Sequence, residues 1–506
     1  RVNVFALTGG ILTAIGLAFW IAVGVFDVSF GGKAEVPSVG ILMMENRGDI
    51  EDEFWASSIT EDLIVKVASA GLIRVAPMKE ILEVDIKKSF EEIAKKLRVK
   101  YLLTSSLYKK EDGFDLRCQL IEAETGNSKY ANKWSESIAD APTIVGNLAE
   151  NILKSLKVST KQNITKVPTP NIDAYEYYFK SKYYYNKYMR LVDIKSLEIA
   201  RGLLEKAIQL DDNLLAPKIL LGRTYYFEPG DNEEDYVQAL NEARDLFEKA
   251  LIKAKELDDK FWVGRSLRNI GNTFYERDET KSYDYYVRSL KINEEIGDWD
   301  GMAHSLNNIG GVFRNQGDID NAINYLTRAL EIRTELGDEL FMSHTYSNLG
   351  HSYRIKGEYD KAIESYTNAL KIAEKIGEKP PLVWSINSIG IIFLDKGNYE
   401  KAAEYLGKSV KINNEINGGY HLSLWSTVHL YLTYKKLGKP YLKKDIIELI
   451  AGAQHIDYLI NFPLYKLLDD ISYLEIAYNQ VQEKADNLEP DVAAKFLSYP
   501  IPKAIV

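Results

Sequence analysis

Asparagine and arginine side chains recur at matched positions in the middle of the chain. Asn269, Asn308 and Asn348 each precede a glycine by two residues, and Arg314 and Arg354 each follow a glycine by four. An amide both donates and accepts hydrogen bonds, so it can hold an extended peptide backbone. A guanidinium can hold a carboxylate through two parallel hydrogen bonds. These residue types indicate non-covalent recognition of polypeptide.

Residues that could catalyse a reaction or bind a metal ion are few. Glu61 and Asp62 could form a general acid–base pair, but they fall inside a predicted helix and most simply supply its solvated face. His344 and His351 share a helix face two turns apart, whereas paired metal ligands are usually three or four residues apart and need a third ligand. The sequence also lacks phosphate-binding glycine loops and nucleophile elbows. We therefore expect no catalytic residue, cofactor or metal ion here.

Composition narrows the class of protein. The 506 residues are too many for one hydrophobic core, and the length suggests about three domains. A net charge of -10 argues against a general nucleic-acid-binding protein, which usually carries a basic stripe. Cys118 is the single cysteine, so the chain can form neither an intrachain disulfide nor a zinc site of paired cysteines.

Recurring glycines predict the elements that position the asparagines and arginines. Gly271, Gly310, Gly350 and Gly390 lie 39, 40 and 40 residues apart, and an aromatic residue follows each of them by three positions. A period of this length is typical of stacked helical hairpins. Glycine at a helix crossing lets two backbones approach, and the aromatic ring fills the space beside it.

The repeated segments resemble tetratricopeptide repeats of the longer variety. The resemblance is carried by the glycine–aromatic pattern and by three turn segments, which are Gly317-Asp-Ile-Asp-Asn-Ala322, Gly357-Glu-Tyr-Asp-Lys-Ala362 and Gly397-Asn-Tyr-Glu-Lys-Ala402. It implies an all-α superhelix of six or seven hairpins over residues 172–455. We expect closing helices in residues 456–506, with a loosely packed tail from Pro490 onward.

The same resemblance implies a concave groove lined by the first helix of each hairpin. The inward positions implied are Arg265, Arg268, Asn269, Asn272, His304, Asn307, Asn308, Arg314, His344, Asn348, His351, Arg354, Trp384 and Asn387. Ile391 and Leu394 would make one end of the groove apolar. Two alternatives remain open at this point, since such side chains are often merely solvated and asparagines can also bond one repeat to the next.

A small α/β domain is predicted over residues 31–158, followed by a linker at 159–171. Short apolar runs and amphipathic helices alternate in the order β-α-β-α-β-β-β-α. This region resembles the amino-terminal domain of the periplasmic protein TolB through segments that include Val39-Gly-Ile-Leu-Met-Met44, Ile73-Arg-Val-Ala76 and Leu120-Ile-Glu-Ala-Glu-Thr-Gly126. In bacterial signalling proteins such a domain often lies between a membrane helix and tetratricopeptide repeats.

The amino-terminal segment predicts a transmembrane helix over residues 1–27. No charged residue occurs from Val2 to Phe26, and about 20 apolar residues suffice to cross a bilayer as a helix. We therefore expect a multidomain, single-pass membrane protein that contacts the lipid bilayer through residues 2–26. Its repeats would lie outside the cytoplasm, in the periplasm of a bacterium.

The functional hypothesis is a membrane-anchored scaffold or sensor that binds an extended peptide or protein partner in the groove. The alternative is the regulatory half of a signalling enzyme. Because the chain begins at Arg1 and not at methionine, we expect a segment upstream of it. In the family that this chain resembles, the upstream segment is often a class III nucleotide cyclase or a serine/threonine kinase. The residues at hand form no enzyme in either case, and a homo-oligomer is left open.

Overall fold

A mixed sheet precedes a long series of helical hairpins in the computed structural model. It describes residues 36–111, 113–137, 140–191, 193–227, 233–275, 277–377, 379–415, 420–453 and 456–506. Within this part of the chain, residues from Pro37 to Val506 pack together as one unit.

The strands form one twisted sheet. They are β1 (Ser38–Ile41), β2 (Glu45–Asn46), β3 (Arg74–Val75), β4 (Tyr101–Lys109), β5 (Gly113–Glu122) and β6 (Ser128–Ser137). β1 pairs in parallel with β3 and β4, β2 pairs in parallel with β4, and β4, β5 and β6 form an antiparallel meander. The turn between β5 and β6 includes Gly126, whose φ of 69° suits glycine. The predicted strands and helices are present in the predicted order, with two additional short elements, β2 and a helix at Met78–Leu82, and with β1 and β3 shorter than the apolar runs that predicted them.

Four helices cover the two faces of this sheet. α1 (Glu53–Ser69) and α4 (Ala141–Ser155) bury their apolar residues with Leu103 on one face, whereas α2 (Met78–Leu82) and α3 (Phe90–Leu97) pack with Leu102 on the other. The alternation of Leu102 and Leu103 follows from the two-residue period of a strand. A capping box of Ser89 and Glu92 begins α3, because each side chain accepts a hydrogen bond from the other residue's backbone N–H.

Fourteen helices form seven consecutive hairpins in the described residues. The first helices of the hairpins are α5 (Ile172–Leu191), α7 (Leu215–Tyr226), α9 (Lys260–Phe274), α11 (Trp299–Gln316), α13 (Glu339–Lys356), α15 (Lys379–Asp395) and α17 (Tyr420–Leu437). The second helices are α6 (Ile194–Leu210), α8 (Glu233–Glu256), α10 (Glu279–Ile296), α12 (Ile319–Leu336), α14 (Tyr359–Ile376), α16 (Tyr399–Glu415) and α18 (Lys443–Ala451).

The recurring helix glycines lie where the two helices of a hairpin cross. A Cβ atom added at Gly271 or Gly350 would lie 2.7 or 2.9 Å from a ring carbon of Tyr286 or Tyr366, respectively. At Gly310 and Gly390 the nearest atom would be a leucine Cγ at 2.7 or 2.8 Å. Real Cβ atoms do not approach so closely, so the glycine allows the contact and the large side chain fills the space.

Two sets of turns define two opposite edges of the array. The turns inside hairpins contain Gly317, Gly357 and Gly397, with φ between 75° and 95°, and we call their side the intra-repeat edge. The turns between hairpins contain Gly297, Gly337 and Gly377, with φ between 63° and 69°, and we call their side the inter-repeat edge. Positive φ strains residues with a Cβ, which explains glycine at both sets. 

The carboxyl-terminal segment packs firmly on the intra-repeat edge. It forms α19 (Tyr458–Leu468), α20 (Ile471–Asp486), α21 (Pro490–Ser498) and α22 (Pro500–Ile505). Phe496 is fully buried against Gly317, and Pro500 lies against Gly357. The expectation of a loose tail is therefore wrong, because its apolar side chains find a surface on the array.

The predicted fold class is corrected at its amino terminus. None of the helices in the described part of the chain combines the length and the apolar character needed to cross a bilayer. The predicted membrane helix, single-pass localisation and bilayer contact are therefore not supported, and the fold class is corrected to a mostly helical superhelix with a small α/β region. Residues 1–27, on which the predicted membrane helix fell, lie outside the described residues.

Candidate functional site

The fourteen predicted groove residues lie on four consecutive first helices, α9, α11, α13 and α15. Most are half-buried, Arg354 and Asn387 are buried, and His344 and Trp384 are exposed. Their burial is uneven because other parts of the same chain cover sections of this surface.

The asparagines form hydrogen bonds between repeats. The Nδ2 atom of Asn308 donates to Oδ1 of Asn272 at 3.1 Å, and Nδ2 of Asn348 donates to Oδ1 of Asn307 at 3.2 Å. Asn269 instead donates to the backbone carbonyl of Arg265 on its own helix. The amides therefore help to set the spacing of neighbouring helices. Each bonded amide still has further hydrogen-bonding capacity for a ligand.

Arg314 and Arg354 are held in different ways. Arg314 donates to Oδ1 of Asn348 at 3.0 Å and to the Tyr275 hydroxyl at 3.1 Å. The Arg354 side chain is 4% exposed and lies 3.8 Å from the Asp395 carboxylate, while its Nη2 atom has no hydrogen-bond partner. Burial raises the pKa of Asp395 even though the Arg354 charge opposes the rise.

His351 and Asn387 lie in the same part of the groove as Arg354. Nε2 of His351 and both side-chain amide atoms of Asn387 are buried without a hydrogen-bond partner. Burial lowers the pKa of His351 well below its ordinary value, and the Arg314 and Arg354 charges lower it further, so the ring is neutral. Buried polar atoms without a partner cost stability, so these atoms destabilise this part of the array unless a small polar group such as water bonds to them.

Arg265 and Arg268 lie one turn apart on α9. Among the described residues, neither guanidinium has a carboxylate oxygen within 4 Å. The Arg265 guanidinium lies 4.5 Å from the centre of the Phe261 ring, and its Nε atom has no hydrogen-bond partner. Burial, together with the nearby Arg265 charge, lowers the pKa of Arg268 to about 10. The Asp300 and Asp298 charges oppose this shift in part, and Arg268 stays a cation at neutral pH.

A buried ion cluster beside Arg268 was missed by the sequence reasoning. Arg333 donates to Asp300 and, at 2.7 Å, to Asp338. Burial and then the adjacent Asp300 charge raise the pKa of Asp298 to about 6. Burial alone would also raise the pKa of Asp300, but the Arg333 guanidinium holds it below its usual range. An aspartate follows each of the turn glycines at 297, 317 and 337, and that recurrence was the available signal.

Histidine and aromatic rings continue the surface from Arg268. The centres of the His304 and Phe341 rings are 4.4 Å apart, and the centres of the Phe341 and His344 rings are 5.9 Å apart. Burial and then the Arg333 charge lower the pKa of His304 well below its ordinary value, so its imidazole is neutral at pH 7. Phe341 and Trp384 are 37% and 36% exposed. We call Arg268, His304, Phe341, His344 and Trp384 the central strip.

The chain itself covers the surface on either side of the central strip. α1 contacts both α5 and α11, and its Asp62 accepts a hydrogen bond from Lys182 of α5 at 2.6 Å. At the other end, Ile391 and Leu394 are buried in one apolar cluster with residues of α19, including Phe462. The apolar end of the groove predicted from the sequence is therefore occupied by the carboxyl-terminal helices.

No group of three or more His, Cys, Asp or Glu side chains in the described ranges is arranged to hold a metal ion. Glu61 and Asp62 belong to the contact between α1 and α5, where Lys182 pairs with both carboxylates. Burial raises the pKa of the Cys118 thiol to about 11, which leaves it protonated at neutral pH.

Comparison with known proteins adds relatives of low identity. The chain is 23% identical over 186 residues to a protein of Rhizobium meliloti (strain 1021) named "Putative adenylate cyclase 3". The alignment covers 36% of this chain and 31% of that protein, so this chain spans about a third of the relative's length.

Solved structures of helical repeat proteins also resemble the chain. A Rap protein complexed with competence and sporulation factor is 17% identical, with a TM-score of 0.40, covering 66% of this chain and 98% of that one. A STAND protein with a tetratricopeptide repeat sensor from Pyrococcus horikoshii is 16% identical, with a TM-score of 0.43, covering 67% and 49%. At these scores neither likeness supports an argument about function.

A family model matches the array directly. Residues 277–335 and 341–415 match the tetratricopeptide repeat. The first range contains α10, α11 and all but the last residue of α12, and the second contains most of α13 and all of α14 to α16. The hairpins within these two ranges are tetratricopeptide repeats.

Proposed function

We propose that this chain is a protein-interaction scaffold whose repeat array binds an extended, partly acidic segment of another protein along the central strip. The observation that carries the proposal is the exposure of Phe341 and Trp384 on the first helices of two neighbouring repeats, between parts of the array that contact the chain's own α1 and α19. Tetratricopeptide repeats provide such extended surfaces because each hairpin contacts only its neighbours.

The chemistry of the strip favours a ligand with both a carboxylate and an apolar ring. Arg268 supplies a cation that has no carboxylate within ion-pairing distance among the described residues. The neutral His304 ring adds a hydrogen-bonding edge without a competing charge. The half-exposed Trp384 and Phe341 supply flat apolar surface, of the kind that dominates binding energy at protein interfaces.

A direct test uses a fluorescein-labelled octapeptide with one tryptophan among glutamates, measured by fluorescence polarisation. We expect Trp384→Ala and Arg268→Ala each to weaken binding about tenfold or more, because each removes an anchor at the centre of the strip. Matched controls are Ile252→Ala and Arg288→Ala, which change exposed side chains on the second helices α8 and α10. Equal loss in controls and strip variants, or equal binding of a peptide with lysine in place of glutamate, would contradict the proposal.

A second candidate is the regulatory part of a larger signalling enzyme. It is favoured by the 186-residue alignment with the Rhizobium protein, most of whose length lies beyond the match. We further propose that residues 31–158 form a domain similar to the amino-terminal domain of TolB, supported by the order of its strands and helices. Sequencing the reading frame upstream of Arg1 tests this candidate, and a start codon next to Arg1 would remove it.

A further inference from the structure

The α/β region and the linker that follows it contact the inter-repeat edge at several successive turns. The Lys166 amine donates to the carbonyl of Leu257 at 2.9 Å, and Lys161 lies beside Gly297. Arg74 lies against Gly337, so closely that an added Cβ would be 2.6 Å from its guanidinium. Further along, the Lys79 amine donates to the carbonyl of Ile376 at 3.3 Å. The domain therefore contacts two consecutive turns of this edge, and the linker contacts the two turns before them.

These edge contacts are made by charged side chains, whereas the contact with the first hairpin combines the Lys182 ion pairs with a buried apolar cluster. Trp55 of α1 packs edge-on against Phe179 of α5, with ring centres 5.4 Å apart. The buried apolar cluster that contains both extends into α6 and α7, but includes no residue of α9 to α16. The domain is thus anchored at α5 and held to the later repeats by polar contacts.

Arg98 is the centre of those polar contacts. It pairs with Glu80 of its own domain at 2.8 Å and with Glu339 at the start of α13. Glu339 also pairs with Lys375 at 2.8 Å. Arg98 ends α3 with a φ of 54°, a left-handed conformation that is strained for residues with a Cβ. Such strain persists where the surrounding structure requires the residue.

The contact between Arg98 and Glu339 leaves part of the hydrogen-bonding capacity of both side chains unused. Nε of Arg98 and Oε2 of Glu339 are both buried without a hydrogen-bond partner. Arg74, Arg98 and Lys375 bring three cations to two carboxylates, Glu80 and Glu339, and the Arg98 charge contributes to lowering the pKa of both Arg74 and Lys375 after burial. Unpaired donors and like charges weaken the closed arrangement relative to an apolar contact.

We propose that Arg74, Lys79 and Arg98, with Glu339 and the turns at Gly337 and Ile376, form a latch that holds the α/β region over the array and opens to admit the partner. This inference rests on the proposed function. In the closed state α1 lies against α11, the helix that carries His304. Opening pivots the domain about its apolar anchor on α5 and uncovers the face of α11 that α1 contacts.

The contacts of the latch are weak enough that salt, a mutation or a ligand can shift the balance between its closed and open states. A partly exposed ion pair changes an equilibrium by up to about fivefold, and salt weakens it further. A charge reversal replaces attraction by repulsion, so it shifts the ratio of closed to open molecules by about 10- to 30-fold. An acidic partner that competes with Glu339 for Arg98 would shift the same equilibrium in the same direction.

The experiment is hydrogen exchange on the full chain with Arg98→Glu, Glu339→Arg and the double charge swap. We expect each single change to raise exchange in residues 74–82 and 337–341 about tenfold, while residues 54–62 stay protected by the apolar anchor. The swap restores protection. Asp360→Arg is the matched control, because it reverses the Lys396–Asp360 pair between neighbouring repeats outside the latch. Unchanged exchange in both single variants would overturn the latch.

Two further measurements separate failure of the latch from failure of the groove. Raising sodium chloride from 50 to 500 mM on the unmodified chain is expected to increase the radius of gyration by X-ray scattering, which avoids any variant that folds poorly. The acidic tryptophan octapeptide is expected to bind Arg98→Glu about tenfold more tightly than the unmodified chain. If exchange rises but no variant binds the peptide, the proposed function fails and the latch stands.

Discussion

The two edges of the repeat array are built alike but covered by different surfaces. Both present glycines with positive φ at their turns. On the intra-repeat edge these glycines receive Phe496 and Pro500, and on the inter-repeat edge Gly337 receives Arg74. Rings cover the intra-repeat edge, which we call the apolar edge, and Lys484 and Lys495 bond beside them at the turn of Gly317. Cations without such rings touch the inter-repeat edge, which we call the charged edge. The repeat period determines where the turns lie. The segments outside the repeats determine whether an edge is covered permanently or by a contact that can be released.

The two edges also differ in how deeply their contacts are buried, and therefore in how much these contacts stabilise the fold. On the apolar edge, Ile460, Leu464 and Phe496 have no exposed surface. On the charged edge the Arg98 side chain is 25% exposed, and Lys375 is 55% exposed. Burying an apolar side chain stabilises by about 1.5–3 kcal/mol, whereas an exposed ion pair contributes about 1 kcal/mol at most. The apolar edge therefore belongs to the folded core, and the charged edge does not.

The largest expected effect is the loss of Phe496. Phe496→Ala should lower the free energy of unfolding by about 3–5 kcal/mol, because it empties the space against Gly317. Chemical denaturation measures the change. Ile476→Ala, at a residue of α20 that is 45% exposed, is the control and should change stability by less than about 0.5 kcal/mol. A small effect at Phe496 would mean that the apolar edge is no firmer than the charged one.

Acid should lower the free energy of unfolding through His429, which lies on α17 in the last hairpin of the array. The ring is 3% exposed, and burial lowers its pKa to about 4, although Nδ1 faces the Trp425 carbonyl at 2.7 Å. The unfolded pKa is about 6.5, so the unfolded chain binds the proton first and stability falls as pH drops from about 6.5 to about 4. The full shift corresponds to about 3 kcal/mol.

The variant His429→Gln isolates this contribution. Denaturation at pH 7 and pH 4.5 should show a smaller acid-induced loss in His429→Gln than in the unmodified chain. The Arg354 charge also contributes to lowering the His429 pKa, so Arg354→Met should reduce the acid sensitivity in part. An identical pH dependence in all three proteins would contradict the assignment.

Replacing turn glycines with alanine allows the two edges to be compared by one type of substitution. Gly317→Ala adds left-handed strain and a methyl group 2.8 Å from the Phe496 ring, whereas Gly397→Ala adds strain alone because nothing lies within 4 Å. We expect Gly317→Ala to cost about 1–3 kcal/mol more. On the charged edge, Gly337→Ala should cost no more than Gly377→Ala, since the end of the Arg74 side chain can move. Thermal unfolding of the four variants measures both differences, and a large excess at Gly337 would show that the charged edge is rigid.

Local and repeated features were predictable from the sequence, and distant contacts were not. The glycine–aromatic spacing predicted the hairpins, and the order of apolar runs and amphipathic helices predicted the α/β region that precedes them. Which surface Phe496 meets depends on a contact with Gly317 almost 180 residues away, and no local pattern encodes that partner. Ile391 and Leu394 were predicted to line the groove for a ligand, yet the chain's own α19 fills the space.

The candidate site was predictable to a similar degree. Recurrence selected Asn308 and Asn348, but their spacing could not distinguish solvated side chains from the inter-repeat hydrogen bonds that they form. The pairing of Arg333 with Asp300 and Asp338 arises because superhelical stacking brings together residues from α11, α12 and α13. The role of the central strip in binding a partner stays a prediction.

The smallest expected effect concerns the charged edge. Glu339→Arg should lower the free energy of unfolding by about 1 kcal/mol or less, because the pairs it breaks are partly exposed and because the cooperative core does not include them. The loss should shrink further in 500 mM salt, which screens exposed charges beyond about 5 Å. Denaturation in low and high salt measures both quantities. If Glu339→Arg destabilised as much as Phe496→Ala, the α/β region would be part of the core of the array, and the two edges would differ in chemistry but not in strength.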